Sequence, residues 1–244
     1  ERVNKRAGSQ CFRTRPRKSA PHPVFTPLPM KLRTCFAGLC ALLLSFVTLS
    51  AAEEPIKVAC IGDSITQGAG ADRGKSYPDQ LQALLGEKYK VGNFGVSGRT
   101  LLQKGDNPYR KEKKYQEALK MLPNIVIIML GTNDTKPQNW KHEAEFVGDY
   151  RDLIKSFQEL PSKPKVYVCR PCPVPGKGNF GINEENVLKI IERLGPLIKE
   201  LDCGMIDMHA ALLEKAAMLP DRVHPNTAGA GEMAKAAAKA IASK

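Results

Sequence analysis

The 244-residue chain is poor in the residues that most often carry metal, redox or stacking chemistry. It has one tryptophan, four histidines and 6% aromatic content. It holds no HExxH or comparable ligand spacing. Its single CxxC, the stretch CRPC at 169–172, lacks both a second CxxC and a suitably spaced histidine. These gaps exclude the common zinc sites. The apolar run Cys35–Leu49 is fifteen residues, short of the roughly 20 that span a bilayer as a helix. GAGADRG at 68–74 comes close to a dinucleotide fingerprint, but Arg73 stands where its last glycine belongs, and no acid follows a second strand at the right distance. Acidic residues are scarce at the front. Residues 1–52 hold nine Lys/Arg and one acid, Glu1, whereas the other 192 hold 28 basic and 24 acidic residues. The net charge of +12 therefore lies mostly outside the part that folds, and it makes no basic face for nucleic acid.

Residues 1–29 carry five prolines and few apolar side chains, so they are expected to be a disordered basic leader. Met30 is the first methionine and a candidate for the true start, which would leave 1–29 upstream of the translated chain. After it come Lys31 and Arg33, the apolar run, and SAAEE. That order of charge, apolar stretch and small residues predicts a signal peptide over 30–52, cleaved after Ala52, in preference to a membrane anchor. Leu39 before Cys40 argues against a lipoprotein. A secreted or periplasmic domain over 53–244 follows. It keeps Cys60, Cys169, Cys172 and Cys203. An oxidising compartment would permit a Cys169–Cys172 disulfide, but plain buried thiols are the preferred reading.

Within that domain short apolar runs alternate with helical spacing. KVACI (57–61), KVGNF (90–94), IVIIML (125–130), KVYVC (165–169) and GMIDM (204–208) read as buried strands. Stretches 76–86, 141–160, 184–201 and 228–242 read as helices. The alternation predicts a three-layer α/β/α sandwich on a five-stranded parallel sheet, covered on both faces. In such sheets ligands bind beyond the carboxyl ends of the strands. Polar or glycine-rich stretches follow four of them: GDSITQG, NFGVSGRT (93–100), GTNDTKPQNW (131–140) and PDRVHPN (220–226).

Each of these has a plain structural reading. Ser64 is a good helix N-cap, Asn133 a turn residue, and Gly98 a backbone requirement. Ser97 in GVSGR resembles a nucleophile elbow, but Arg99 stands where that motif needs glycine. Of the domain's three histidines, His142 is expected to be solvated and His209 to sit at the surface or cap a helix. His224 is different. It precedes Pro225, which disfavours helical backbone, and Asp221 lies three residues earlier, within reach of its ring nitrogen in a turn. An acid-held base is half of a nucleophilic triad, and a serine on the same rim supplies the rest.

These blocks occur in one order: GDSIT with Ser64, GVSG with Gly98, GTND with Asn133, and DRVHPN with Asp221 and His224. On them the chain resembles the SGNH hydrolases, also called the GDSL family, over about 56–240. The resemblance implies a flavodoxin-like fold and a serine esterase that needs no cofactor. His224 would deprotonate Ser64 and Asp221 would orient His224. The N–H groups of Ser64 and Gly98 and the amide of Asn133 would receive the oxyanion. Arg222 departs from the family, where glycine is common between acid and histidine.

The stretches GTNDTKPQNW and FGVSGRTLL further resemble sialate O-acetylesterases and carbohydrate acetylesterases. The implied substrate is a small or glycan O-acyl ester. Trp140 is a candidate for stacking on a sugar ring, with simple packing as the equal alternative. Arg99 is a candidate contact to an acidic sugar, with a plain surface arginine as the preferred reading. The chain has no loop long enough for a lid over long acyl chains. A lysophospholipase or thioesterase of the same family, and a noncatalytic carbohydrate-binding module, are the alternatives.

Overall fold

The computed structural model describes residues 54–243. The expected leader and signal peptide lie outside the described residues. In chain order the main elements are β1 (Ile56–Gly62), α1 (Ser64–Gln67), α2 (Tyr77–Leu85), β2 (Tyr89–Gly95), α3 (Lys113–Lys120), β3 (Ile125–Met129), α4 (Pro137–Trp140), α5 (Phe146–Gln158), β4 (Lys165–Arg170), α6 (Glu184–Glu200), β5 (Gly204–Asp207), α7 (Met208–Leu212) and α8 (Thr227–Ala242).

The strands form one parallel sheet in the order β2-β1-β3-β4-β5. Side chains alternate faces along each strand, and here both faces are covered. Ala59 and Ile61 of β1, with Val126 and Ile128 of β3, join Phe146, Tyr150, Leu153 and Phe157 of α5 and Ile190 and Leu194 of α6. Val58 and Cys60, with Ile127 and Met129, join Tyr77 and Leu81 of α2 and Met233, Ala234 and Ala237 of α8. This two-sided burial is why the strands read as continuous apolar runs, and it makes the three-layer sandwich. Each fully buried large apolar side chain contributes about 1.5–3 kcal/mol.

The strand order reverses about β1: the chain steps from β1 to β2 on one side, then to β3 on the other. Gly62 closes β1 opposite Gly95 of β2 and Met129 of β3, so three strands end at one level. Gly62 itself has no room for a side chain, since a Cβ there would meet Met129 O at 2.7 Å. The loops after β1, β2 and β3 thus leave one rim at the switch point, where ligands bind in such sheets.

Two segments differ from expectation. Helix α3 is not among the expected helices; it is eight residues long and fully buries only Tyr115 and Ala118. The stretch 141–160 is helical only from Phe146. Asn139 is anchored upstream, its Nδ2 donating to Asn133 O at 2.9 Å and to Asp106 Oδ1 at 3.1 Å, and the chain turns through the 3-10 segment Glu143–Glu145 before α5 begins.

Candidate active site

Ser64 is the first residue of α1, directly beyond β1. Asp63 caps that helix, its Oδ1 accepting from Ile65 N–H at 3.0 Å. The cap reading of the GDS stretch therefore belongs to Asp63, which leaves the serine hydroxyl free for another partner. Ser64 Oγ lies 2.9 Å from His224 Nε2, and His224 Nδ1 lies 2.6 Å from Asp221 Oδ2. Asp221 Oδ1 accepts the backbone N–H of Val223 at 3.0 Å and of His224 at 2.7 Å, so the acid also shapes the turn that carries the imidazole. These hydrogen bonds, with the proximity of His224, hold the Asp221 carboxyl below the usual range despite its partial burial.

Asn133 arrives from β3. Its Nδ2 donates to Asp63 Oδ2 at 3.2 Å and to Arg99 O at 3.1 Å, which ties the first, second and third loops together. Asp63 is 1% exposed, and burial pushes its carboxyl up to about 6. Gly98 comes from the loop after β2 with a φ of +76°, a conformation that favours glycine. Ser64, Ser97, Gly98, Asn133, Lys136, Phe180, Ile182 and His224 line one cavity of about 170 Å³. The close approach of the first loop to the histidine turn needs Gly70, where a Cβ would stand 2.7 Å from Pro225 O and 3.0 Å from His224 Cβ.

A sequence profile of the GDSL-like lipase/acylhydrolase family matches residues 60–231, and this span carries all four rim blocks. The chain belongs to that family. It is 40% identical over 210 residues to an acetylxylan esterase of Xylanibacter ruminicola, covering 78% of this chain and 44% of that protein. The chain thus spans less than half the length of that relative. It is 26% identical over 209 residues to an acetylxylan esterase of Geobacillus stearothermophilus, covering 74% of this chain and 91% of the relative. Among solved structures, a carbohydrate acetylesterase from Sinorhizobium meliloti superposes with a TM-score of 0.61 at 22% identity, over 76% of this chain and 98% of that one. At that identity the likeness is one of fold.

Two candidate sugar contacts of this family member are corrected. Trp140 does not line the cleft. Its ring packs 6.3 Å from that of Phe146, under the Arg193 guanidinium at 5.0 Å, because α4 turns it toward the apolar layer. Arg99 does not line the cleft either: its Nε meets Glu112 Oε1 at 2.8 Å and its Nη1 donates to Ser97 O at 2.7 Å, so the guanidinium is engaged by the protein itself. His209 is not a surface residue. Its side chain is 12% exposed, with Nε2 2.6 Å from Glu184 Oε1.

Cys169 and Cys172 carry free, buried thiols, and Cys172 Sγ lies against Met233 Sδ at 3.8 Å. Burial pushes both thiols well above their ordinary range, which makes them poor nucleophiles.

Sequence reasoning missed Lys136, Phe180 and Ile182. Phe180 had a signal: an aromatic set between Asn179 and Gly181 in GKGNFGIN, a glycine-rich stretch with no helical or strand period.

Proposed function

We propose that the domain is a carboxylic ester hydrolase that removes O-acyl, chiefly O-acetyl, groups from carbohydrates through a Ser64–His224–Asp221 triad. The observation that carries this reading is the continuous contact from Ser64 Oγ to His224 Nε2 at 2.9 Å and from His224 Nδ1 to Asp221 Oδ2 at 2.6 Å, at the edge of a small cleft.

In this mechanism His224 takes the serine proton as Ser64 Oγ attacks the ester carbonyl. Asp221 holds Nδ1–H and stabilises the imidazolium that forms. Among the described residues, the N–H groups of Ser64 and Gly98 have no hydrogen-bond partner, so both are open to a developing oxyanion. Asn133 Nδ2 supplies the third donor by turning one hydrogen from the Arg99 carbonyl to the oxyanion, a stronger acceptor. His224 then protonates the leaving alcohol, and water, activated by the same base, hydrolyses the acyl-enzyme.

A short acyl group suits the cleft, whose volume of about 170 Å³ lies below the range of roughly 300–1,000 Å³ usual for ligand pockets. The acetylxylan esterase relatives support a carbohydrate acetate as the ester. We further propose export, with residues 30–52 removed as a signal peptide; N-terminal sequencing of the exported protein should read from near Glu53, and an uncleaved, membrane-retained product would contradict it. Among the described residues no helix is long and apolar enough to cross a membrane.

The mechanism is tested by Ser64→Ala. Hydrolysis of p-nitrophenyl acetate should fall by several powers of ten, since triad members act as a unit, and a fluorophosphonate probe should label the parent protein but not the variant. Parent-like turnover by Ser64→Ala would move the nucleophile elsewhere, Ser97 being next in the cleft.

A further inference from the structure

Four residues that line the cleft, Ser97, Lys136, Phe180 and Ile182, have no part in the triad or the oxyanion contacts, and two of them, Phe180 and Lys136, stand out. Phe180 is 56% exposed, an unusual place for a large aromatic ring, and its φ is +54°. A non-glycine residue in that region is strained, and such strain persists where the surroundings require it, commonly at ligand contacts. Its ring centroid lies 5.8 Å from that of His224 with the planes at 52°, so the ring stands at the cleft mouth beside the base.

The next residue, Gly181, has a φ of +78°, and a Cβ there would lie 3.7 Å from Lys136 Cγ. The two left-handed residues therefore hold Phe180 outward and pack the chain against the Lys136 stem in one stroke. Lys136 lines the same cleft. Among the described residues its ammonium has neither an ion-pair nor a hydrogen-bond partner, whereas Arg99 is held by Glu112 and Arg222 donates to Gly178 O.

We infer that Phe180 and Lys136 form a subsite for the alcohol half of the ester, and that it selects an acetylated sugar bearing a carboxylate. The inference rests on the esterase reading above and adds the substrate's charge. The C–H face of a sugar ring packs on the exposed π face of Phe180. The carboxylate meets the Lys136 ammonium as a charge-assisted contact.

The test is acetate release from a mono-O-acetylated methyl glucuronoside and from its neutral glucuronamide counterpart. The parent enzyme should favour the acid by about tenfold in kcat/KM, the size of one partly exposed charge-assisted hydrogen bond, and added salt should shrink that preference. Lys136→Met should bring the ratio near one, Lys136→Arg should keep it, and Phe180→Ala should raise KM for both sugars while leaving the ratio intact. A ratio near one in the parent enzyme, or one unchanged in Lys136→Met, overturns the subsite. So does failure to release acetate from either sugar by an enzyme that still cleaves p-nitrophenyl acetate. Absence of fluorophosphonate labelling at Ser64 would instead overturn the esterase reading beneath it.

Discussion

Arg222 sits between the acid and the histidine of the candidate triad with a φ of +69°. An L residue with a Cβ is strained there, and glycine is not. Its side chain returns little, since Nη1 reaches Gly178 O only at 3.4 Å. Arg222→Gly is expected to raise unfolding stability by up to about 1 kcal/mol, the backbone relief being partly offset by the greater chain entropy of glycine. Chemical denaturation at an unchanged m-value would measure it; a loss of stability would mean that the guanidinium contact outweighs the strain. The departure from the family pattern was visible as a letter in the sequence. That it forces a side chain into left-handed backbone was not, because φ depends on how the turn closes around Asp221.

The turn that carries His224 runs into α8 through Asn226, whose Oδ1 accepts from Gly229 N–H at 3.0 Å. Thr227 extends the anchor: its Oγ1 donates to Asp72 Oδ2 at 2.8 Å, and its carbonyl accepts from Gln80 Nε2 at 2.9 Å. Asn226→Ala should cost about 1 kcal/mol, the usual value of an N-cap. It should also lower kcat more than it raises KM, because it loosens the proposed base and leaves the rest of the rim in place. Thermal melting and steady-state rates on p-nitrophenyl acetate would show both effects, and a melting shift with unchanged kcat would separate the cap from the base. Helices α2, α6 and α8 were legible to within about a residue, 184–201 being observed as Glu184–Glu200 and 228–242 as Thr227–Ala242. Helix α5, in contrast, starts five residues after its expected start at 141, although it too carries an apolar stripe. The loop 171–183 was not legible, since nothing periodic marks it. Its placement depends on distant partners, such as Glu184 Oε2 accepting from Val174 N–H at 2.6 Å.

Over the whole molecule, two carboxyls lie inside the apolar layers beneath the rim. Burial pushes Asp134 up to about 7, although it accepts the N–H groups of Leu101 at 3.0 Å and Leu102 at 2.7 Å, and burial pushes Asp63 up to about 6. Each holds its proton in the folded chain after the unfolded chain has released it near pH 4. The native state then binds more protons, so these two groups make stability fall as pH rises from about 4 to 7. Glu232 acts in the other direction: Lys215 and Lys235 lower it to about 2, so its contribution is lost as pH falls from about 4.5 toward 2. Asp134→Asn should melt below the parent throughout, having lost an acceptor, and the gap should narrow between pH 4 and 7. Melting curves across that range decide it, and a gap that widens with pH would mean that the carboxylate is ionised and stabilising.

Period and order along the chain were sufficient for the parallel sheet, its two helical layers and the four rim blocks, because burial on both faces imposes continuous apolar strands whatever the loops contain. Local chemistry singled out His224 with Asp221 and a serine on the same rim, and the order of the blocks, through the family resemblance, added Gly98 and Asn133 to Ser64. Which side chains share the cleft is a matter of distance between residues far apart in sequence, and local pattern carries no such distance. Trp140 and Arg99 stand within a few residues of rim motifs yet turn to Phe146 and Glu112, while Phe180 arrives beside His224 from a loop 44 positions away. Side-chain direction is settled by the partners that packing provides, and those partners exist only once the layers have closed.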